Sequence, residues 1–194
     1  MSALKFILQY ITKPRTVGAI LPSSKYLAKK MIAQVDFDKA SCIVEYGPGT
    51  GVFTDEILGR RKPDTRLILL ERNPEFADQL TKKYENTKNV IVINDTAEQI
   101  GKYLNMYSIP KADAIISGLP FASLPKETSE NILKETKKHL CDGGKFITFQ
   151  YTLLRKGFFA KHFCEITITH EIRNIPPAYV LCCYSNGCAN KSTA

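Results

Sequence analysis

Ile43-Val44-Glu45-Tyr46-Gly47-Pro48-Gly49-Thr50-Gly51-Val52-Phe53 is the stretch on which the fold turns: an apolar run enters a glycine-rich loop and leaves it as a helical pattern. Glycines let the chain turn sharply and approach a ligand with no Cβ in the way, and the start of the helix supplies free N–H groups. One residue before the loop's tyrosine stands an acid, Glu45. An acid there suits a ligand with a cationic amino or sulfonium group better than a pyrophosphate. The G-x-G-x-x-G spacing of nicotinamide dinucleotide enzymes is absent, which argues against a dehydrogenase.

Outward from this loop, strand-like runs alternate with helical patterns, as in a parallel sheet covered by helices. Strands are predicted at Cys42 to Tyr46, Arg66 to Glu71, Val90 to Asn94, Ala112 to Ser117, Lys145 to Tyr151, Glu165 to Ile172 and Ala178 to Tyr184. Helices are predicted at Phe53 to Gly59, Glu75 to Tyr84, Ala97 to Leu104 and Lys126 to Leu140. Only Arg173 to Pro177 separates the last two strands, and a parallel crossover needs about a dozen residues, so this pair is expected to be antiparallel. Two helices precede the sheet, Ala3 to Thr12 and Ser24 to Val35, the second with Ser23 as its N-cap after Pro22. The expected fold class is α/β: a Rossmann-like seven-stranded, mostly parallel sheet with one antiparallel strand, helices on both faces and two extra N-terminal helices. Residues 1–194 are expected to form one domain, with a helical extension over 1–35, the core over 36–185 and a polar, disordered tail over 186–194.

Polar residues recur where the strands end. Glu71 closes the second strand, the place where such folds use an acid to accept hydrogen bonds from both ribose hydroxyls, and Asp95-Thr96 closes the third, within reach of an adenine amino group. Stations at the carboxyl ends of successive strands agree with ligand binding at the topological switch point. The plainer reading is a tight turn with surface acids.

Composition narrows the class. The 194 residues are 44% hydrophobic and 24% charged, which is ordinary globular usage and unlike a disordered chain. A net charge of +8 points to an anionic partner, nucleic acid or acidic lipid, or to nothing more than a soluble basic enzyme. Lys126, Lys134, Lys137 and Lys138 fit a solvated helix face, or one that serves an anionic surface. Cys42, Cys141, Cys164, Cys182, Cys183 and Cys188 form no CxxC pair, and His139, His162 and His170 lack ligand spacing, so neither disulfides nor a metal site is expected. The apolar stretch Phe6 to Ile11 is too short for the core of a signal peptide, and no apolar run is long enough to span a bilayer. The chain is therefore expected to be reduced and intracellular.

Glu45 to Gly51 resembles the first motif of class I S-adenosylmethionine methyltransferases, and Ser117-Gly118-Leu119-Pro120-Phe121 resembles the motif after their fourth strand. Within that superfamily the chain is similar to the rRNA adenine dimethylases and, more closely, to the bacterial phospholipid N-methyltransferases. The latter pattern resembles Val17-Gly18-Ala19-Ile20-Leu21-Pro22-Ser23-Ser24, Ser117 to Phe121, and Asn174-Ile175-Pro176-Pro177-Ala178. The resemblance implies S-adenosylmethionine as cofactor, bound by Glu45, Tyr46, Gly47, Gly49, Gly51, Glu71, Arg72, Asp95, Thr96, Ala97 and Ser117. It also implies a catalytic turn made of Ser117, Gly118, Leu119, Pro120 and Phe121, and N-methylation of the headgroup of phosphatidylethanolamine or its methylated forms.

The turn separates the two relatives. Adenine dimethylases carry Asn-Leu-Pro and then Tyr or Phe, the Asn amide oxygen holding the exocyclic amine; here Gly118 stands in the Asn position. Without that acceptor a weakly nucleophilic aryl amine is poorly oriented, whereas an alkyl amine is a good nucleophile once it has lost a proton. The departure favours a lipid amine over adenine, although Ser117 restores some polarity. Methylation of rRNA adenine is the alternative, and a non-catalytic cofactor-binding module is a third. For lipid chemistry the Phe121 ring is expected to face the ammonium, with the Leu119 carbonyl accepting an N–H. No residue declares itself as the general base. Tyr26, Tyr151 and Tyr179 are candidates for the headgroup pocket and fit ordinary half-buried positions equally well.

Leu4, Ile7, Leu8 and Ile11 recur at the spacing of one helical face, with Lys5, Lys13 and Arg15 nearby. This stripe is expected either to rest on a membrane or to pack on the catalytic domain as a lid. A phospholipid headgroup and an anionic membrane surface are the expected partners, nucleic acid less so, and no obligate protein partner is indicated. The expected location is cytoplasmic and peripherally membrane-associated.

Overall fold

Cys42-Ile43-Val44-Glu45-Tyr46 is buried along its whole length because it forms the strand β1 (Cys42–Tyr46), enclosed on both faces and both edges. In the computed structural model, which describes residues 24–185, β1 pairs in parallel with β2 (Arg66–Leu70) and with β4 (Ala112–Ser117). Beyond β2 lies β3 (Val90–Ile93), and beyond β4 lies β5 (Leu140–Gln150), both parallel to their neighbours. The strand β7 (Ala178–Tyr184) is inserted antiparallel between β5 and the edge strand β6 (Glu165–Glu171). The seven-stranded order is therefore β3-β2-β1-β4-β5-β7-β6, with β7 the single reversed strand. In this edge strand the partly buried Ile166 and Ile168 alternate with the exposed Thr167 and Thr169, as in a strand with one wet face.

Helices cover both faces. On one lie α1 (Lys25–Ile32), α2 (Val52–Leu58) and α3 (Pro74–Tyr84), whose Leu27, Met31, Phe53, Ile57 and Leu80 pack with Ile43, Leu67, Leu69 and Ile116. On the other lie α4 (Ile100–Met106), α5 (Lys126–His139) and α6 (Lys156–Ala160), whose Leu104, Ile132, Leu133 and Phe159 pack with Val44, Ile68, Ile115 and Phe146. Isolated helices as short as α1, with eight residues, do not persist in water. Burial of Leu27, Met31 and Ile32 contributes about 1.5 to 3 kcal/mol each and offsets that.

Several boundaries differ from those predicted. The cap of α1 falls at Ser24, whose Oγ accepts from Leu27 N at 3.2 Å, and not at Ser23, which lies outside the described residues. Ser24 is fixed there because its own N–H donates to Asn174 Oδ1 at 3.1 Å. The chain leaves α5 directly into β5 at Leu140, five residues before the predicted Lys145, because Leu140 already pairs with Ala112; a register shift follows before Ala114. The short helix α6 was not predicted: Lys156-Gly157-Phe158-Phe159-Ala160 is held by the burial of Phe159. The predicted helix over Ala3 to Thr12 and the tail 186–194 lie outside the described residues. Among the described residues no helix is long and apolar enough to cross a membrane, and no group of His, Cys, Asp or Glu is placed to hold a metal ion.

Candidate active site

The loop between β1 and α2 runs through three left-handed glycines, Gly47, Gly49 and Gly51, with φ of 62°, 56° and 84°. Their surroundings differ. A Cβ on Gly51 would come within 2.5 Å of Tyr84 Oη, so this glycine lets α2 and α3 approach each other. A Cβ on Gly49 would meet nothing within 4 Å and would stand in open space beside the loop.

Three acids end the three neighbouring strands. Glu45 is fully buried; its Oε2 accepts from Thr54 Oγ1 at 2.7 Å, while Oε1 has no partner. Burial pushes its carboxyl up to about 8, opposed by the Thr54 hydrogen bond and reinforced by the nearby charges of Glu71 and Asp55. Glu71 follows β2, and its two oxygens accept from Gly49 N at 3.0 Å and Asn73 N at 2.8 Å. Burial raises its carboxyl too, against the backbone N–H groups that favour the charge. Each oxygen keeps a lone pair for a further donor. Asp95 follows β3 and is held below the usual carboxylate range, first by the Tyr103 hydroxyl at 2.6 Å and then by Thr96 N at 2.7 Å. Lys102 Nζ lies 3.5 Å from the same carboxylate.

Tyr103 and Lys102 were missed in the sequence because they reach Asp95 from α4; an acid at a strand end followed by Lys-Tyr one helix later is the only trace. Asn94 was missed as well. Its amide donates to the carbonyls of Glu71 at 2.9 Å and Arg72 at 3.1 Å and so ties the ends of β2 and β3 together. Arg72 is otherwise exposed, Thr96 is half-buried, and Ala97 is buried at the start of a 3₁₀ turn, Ala97–Gln99.

The turn after β4 sits against the glycine loop. Gly118 N donates to Tyr46 O at 2.9 Å, and a Cβ on Gly118 would come within 2.8 Å of the Gly47 carbonyl oxygen. Ser117 is buried, its Oγ accepting from Leu119 N at 3.2 Å. The Leu119 carbonyl accepts from Phe121 N at 3.0 Å and retains a second lone pair.

Two expectations need correction here. The Phe121 ring does not face the crevice: it is fully buried and meets Phe159 and Phe146 edge-on, with centroids 5.3 and 6.0 Å away. Edge-to-face contacts and removal from water hold it in the core. The Tyr46 ring is likewise buried on the α5 face, its hydroxyl 3.2 Å from Thr136 Oγ1, so Tyr46 offers the crevice only backbone.

Of the three tyrosines, Tyr151 and Tyr179 line one open cleft of about 520 Å³ with Thr152, Leu153 and Leu154. Tyr179 also stacks on His170, with centroids 4.5 Å apart. Tyr26 stands apart, half exposed beneath the Arg173 guanidinium, 4.3 Å from its ring centroid. Leu4, Lys5, Ile7, Leu8, Ile11, Lys13 and Arg15 lie outside the described residues.

An unpaired buried carboxyl oxygen, an open space at Gly49 and acids at the ends of β1, β2 and β3 fit a cationic nucleoside ligand such as S-adenosylmethionine.

Comparison with known proteins agrees. The family model described as ribosomal RNA adenine dimethylase matches residues 16–164. An ornithine lipid N-methyltransferase from Singulisphaera acidiphila is 32% identical over 180 residues, covering 92% of this chain and 93% of that protein. Ribosomal RNA small subunit methyltransferase A from a Hydrogenobaculum species is 32% identical over 110 residues, which is 56% of this chain and 40% of the relative. Among solved structures, N-methyltransferase NodS from Bradyrhizobium japonicum in complex with S-adenosyl-L-homocysteine superposes with a TM-score of 0.68 at 11% identity, covering 91% of this chain and 97% of that one. Precorrin-6y C5,15-methyltransferase from Geobacter metallireducens superposes with a TM-score of 0.66 at 15% identity, covering 87% of this chain and 94% of that one. These two likenesses show the fold.

Proposed function

We propose, since this chain belongs to the ribosomal RNA adenine dimethylase family and is an S-adenosylmethionine-dependent methyltransferase, that its acceptor is the amine of a lipid headgroup, phosphatidylethanolamine or a methylated form, at a membrane surface. The observation that carries this reading is Gly118: the position where adenine dimethylases place an Asn acceptor has no side chain, and its Cβ site is closed by the Gly47 carbonyl. The relative that matches over nearly the whole chain is named for N-methylation of an ornithine lipid, which is also a lipid amine.

In this mechanism Glu45, Glu71 and Asp95 would hold the amino, ribose and adenine parts of the cofactor, each from the end of its own strand, and the cationic amino group would itself favour the ionised form of Glu45. The bound cofactor supplies a methyl group on a sulfonium. The chain supplies position. The free lone pair of the Leu119 carbonyl would accept an N–H of the incoming amine and so orient its nitrogen for in-line transfer. Ser117, Gly118, Leu119, Pro120 and Phe121 include no side chain that takes a proton near neutrality. The ammonium must lose a proton before it attacks, so the rate is expected to rise with pH through the neutral range. Tyr151 and Tyr179 flank the headgroup from the neighbouring cleft.

The test is incubation with methyl-labelled S-adenosylmethionine and, separately, vesicles containing phosphatidylethanolamine, vesicles containing ornithine lipid, and protein-free rRNA. Label in a lipid amine is expected. Label in adenine would establish the second reading, which the family's name and the +8 charge favour.

A further inference from the structure

We propose that the face built from the start of α1, the segment after β5 and the β6–β7 turn is a docking surface for an anionic lipid bilayer, an inference that rests on the lipid-amine reading above. Three separate pieces of chain are tied together there. Ser24 N donates to Asn174 Oδ1 at 3.1 Å, the Arg173 guanidinium covers the Tyr26 ring at 4.3 Å, and Asn174 lies beside the Tyr151 hydroxyl. The surface is thus one rigid patch and not three loose loops.

Its composition is unusual in two ways at once. Leu154, Ile172 and Ile175 are 91%, 70% and 73% exposed, and Leu153 beside them opens into the cleft between Tyr151 and Tyr179. Single exposed aliphatic residues are ordinary, but here Leu153 and Leu154 line the cleft, and Ile172 and Ile175 flank Asn174 on the turn held against Tyr151, so four aliphatic side chains fall on segments tied together. The charge is also one-sided. Residues 24–30, 151–156 and 172–177 together hold six Lys or Arg and no Asp or Glu. The neighbouring acid, Glu171, is buried and taken up by Arg173 at 2.9 Å and Lys30 at 3.4 Å, which hold its carboxyl down to about 2.

Aliphatic tips ringed by cations match a leaflet of acidic lipids, where the tips enter the acyl boundary and the cations meet phosphates. RNA would answer the cations and leave Leu154, Ile172 and Ile175 in water, because single-stranded sites are built on aromatic stacking. The position fits the chemistry as well. The carboxyl ends of β4 and β5 and the amino end of β7 share this edge of the sheet, and Arg155 Nη1 donates to the Phe121 carbonyl at 2.7 Å, joining the patch to the 117–121 turn. A headgroup reaches the turn without its lipid leaving the bilayer.

The test is sedimentation of the full chain with amine-free vesicles of phosphatidylcholine and phosphatidylglycerol, so that docking is read apart from methyl transfer. Wild type is expected to pellet, less so at high salt. The Ile172→Asp/Ile175→Asp and Lys25→Glu/Lys156→Glu proteins are each expected to bind vesicles at least about tenfold more weakly, with S-adenosylmethionine affinity unchanged as the check on folding. Both variants should keep turnover of detergent-dispersed phosphatidylethanolamine and lose turnover of the same lipid in anionic vesicles. Equal pelleting of all three proteins, or failure of wild type to pellet, overturns the docking face. Variants that lose rRNA binding while keeping vesicle binding overturn it in favour of RNA. Docking by wild type with no label in any lipid would instead refute the lipid-amine reading and leave the docking face standing.

Discussion

Glu45 and Glu71 end neighbouring strands, and what each oxygen touches sets them apart. Glu71 is braced by two backbone N–H groups, one of them from Gly49, so it shapes the loop and keeps a lone pair on each oxygen for a further donor, in the proposed mechanism a ribose hydroxyl. Glu71→Ala is expected to weaken S-adenosylmethionine binding by about 1.5 to 3 kcal/mol in calorimetry, as for hydrogen bonds to a charged group. Gly49→Val should abolish binding of cofactor and product alike, since the added side chain enters the open space beside the loop; a folded variant with unchanged affinity would remove the loop from the cofactor site. Glu45 has an orphaned oxygen and keeps its proton up to about 8 in the folded chain. Unfolded, it ionises in the ordinary carboxylate range, so the native state binds the extra proton between the two and stability falls as pH rises through that interval. Glu45→Gln removes the effect: its melting temperature should overtake that of wild type as pH is raised from about 5 to about 8.5, and a constant difference would contradict the shift. The sequence made these acids legible because each follows an apolar run. It did not reveal the Asp95–Tyr103 contact, which spans a turn and a helix, nor the direction of the Phe121 ring. An aromatic residue in a loop carries no periodicity to say which way it points.

Among the elements, α6 is the smallest and the most dependent on tertiary contact. Five residues hold no helix by themselves; Phe159 makes this one by filling the space beside Phe121 and Phe146. Phe159→Ala should cost about 3 to 5 kcal/mol in urea unfolding, through lost burial and the cavity left behind the 117–121 turn. At the other end of the sheet edge, Ser24→Ala should cost about 1 kcal/mol, because α1 loses its only side-chain cap. The central strands were readable because both of their faces are buried and their runs are continuously apolar. The start of β5 was not, since Cys141-Asp142-Gly143-Gly144 has turn composition, and Gly143 does take a left-handed φ of 74°. There the pairing of Leu140 with Ala112 overrides the local signal.

At the scale of the whole molecule, the proposed docking face and the N-terminal stripe bear on one question, whether this basic protein meets a bilayer at two places. Leu4→Glu with Leu8→Glu is expected to lower vesicle pelleting further when added to Ile172→Asp/Ile175→Asp, because two membrane contacts carried by one chain reinforce each other. Cofactor affinity should stay unchanged, and its loss would mark the stripe as a lid. The α/β architecture was legible from the alternation of strand and helix patterns, and the reversal of β7 from the shortness of Arg173 to Pro177, too few residues to cross the sheet. The order of strands has one more consequence, in time. As the chain leaves the ribosome β6 is made before β7, yet β7 lies between β5 and β6. Residues 165–171 therefore wait without a neighbour until 178–184 have been synthesised and slotted in, and the turn between them takes shape in the same event. The β6–β7 turn, with Ile172 and Ile175, thus joins the rest of the proposed docking face only as the sheet closes.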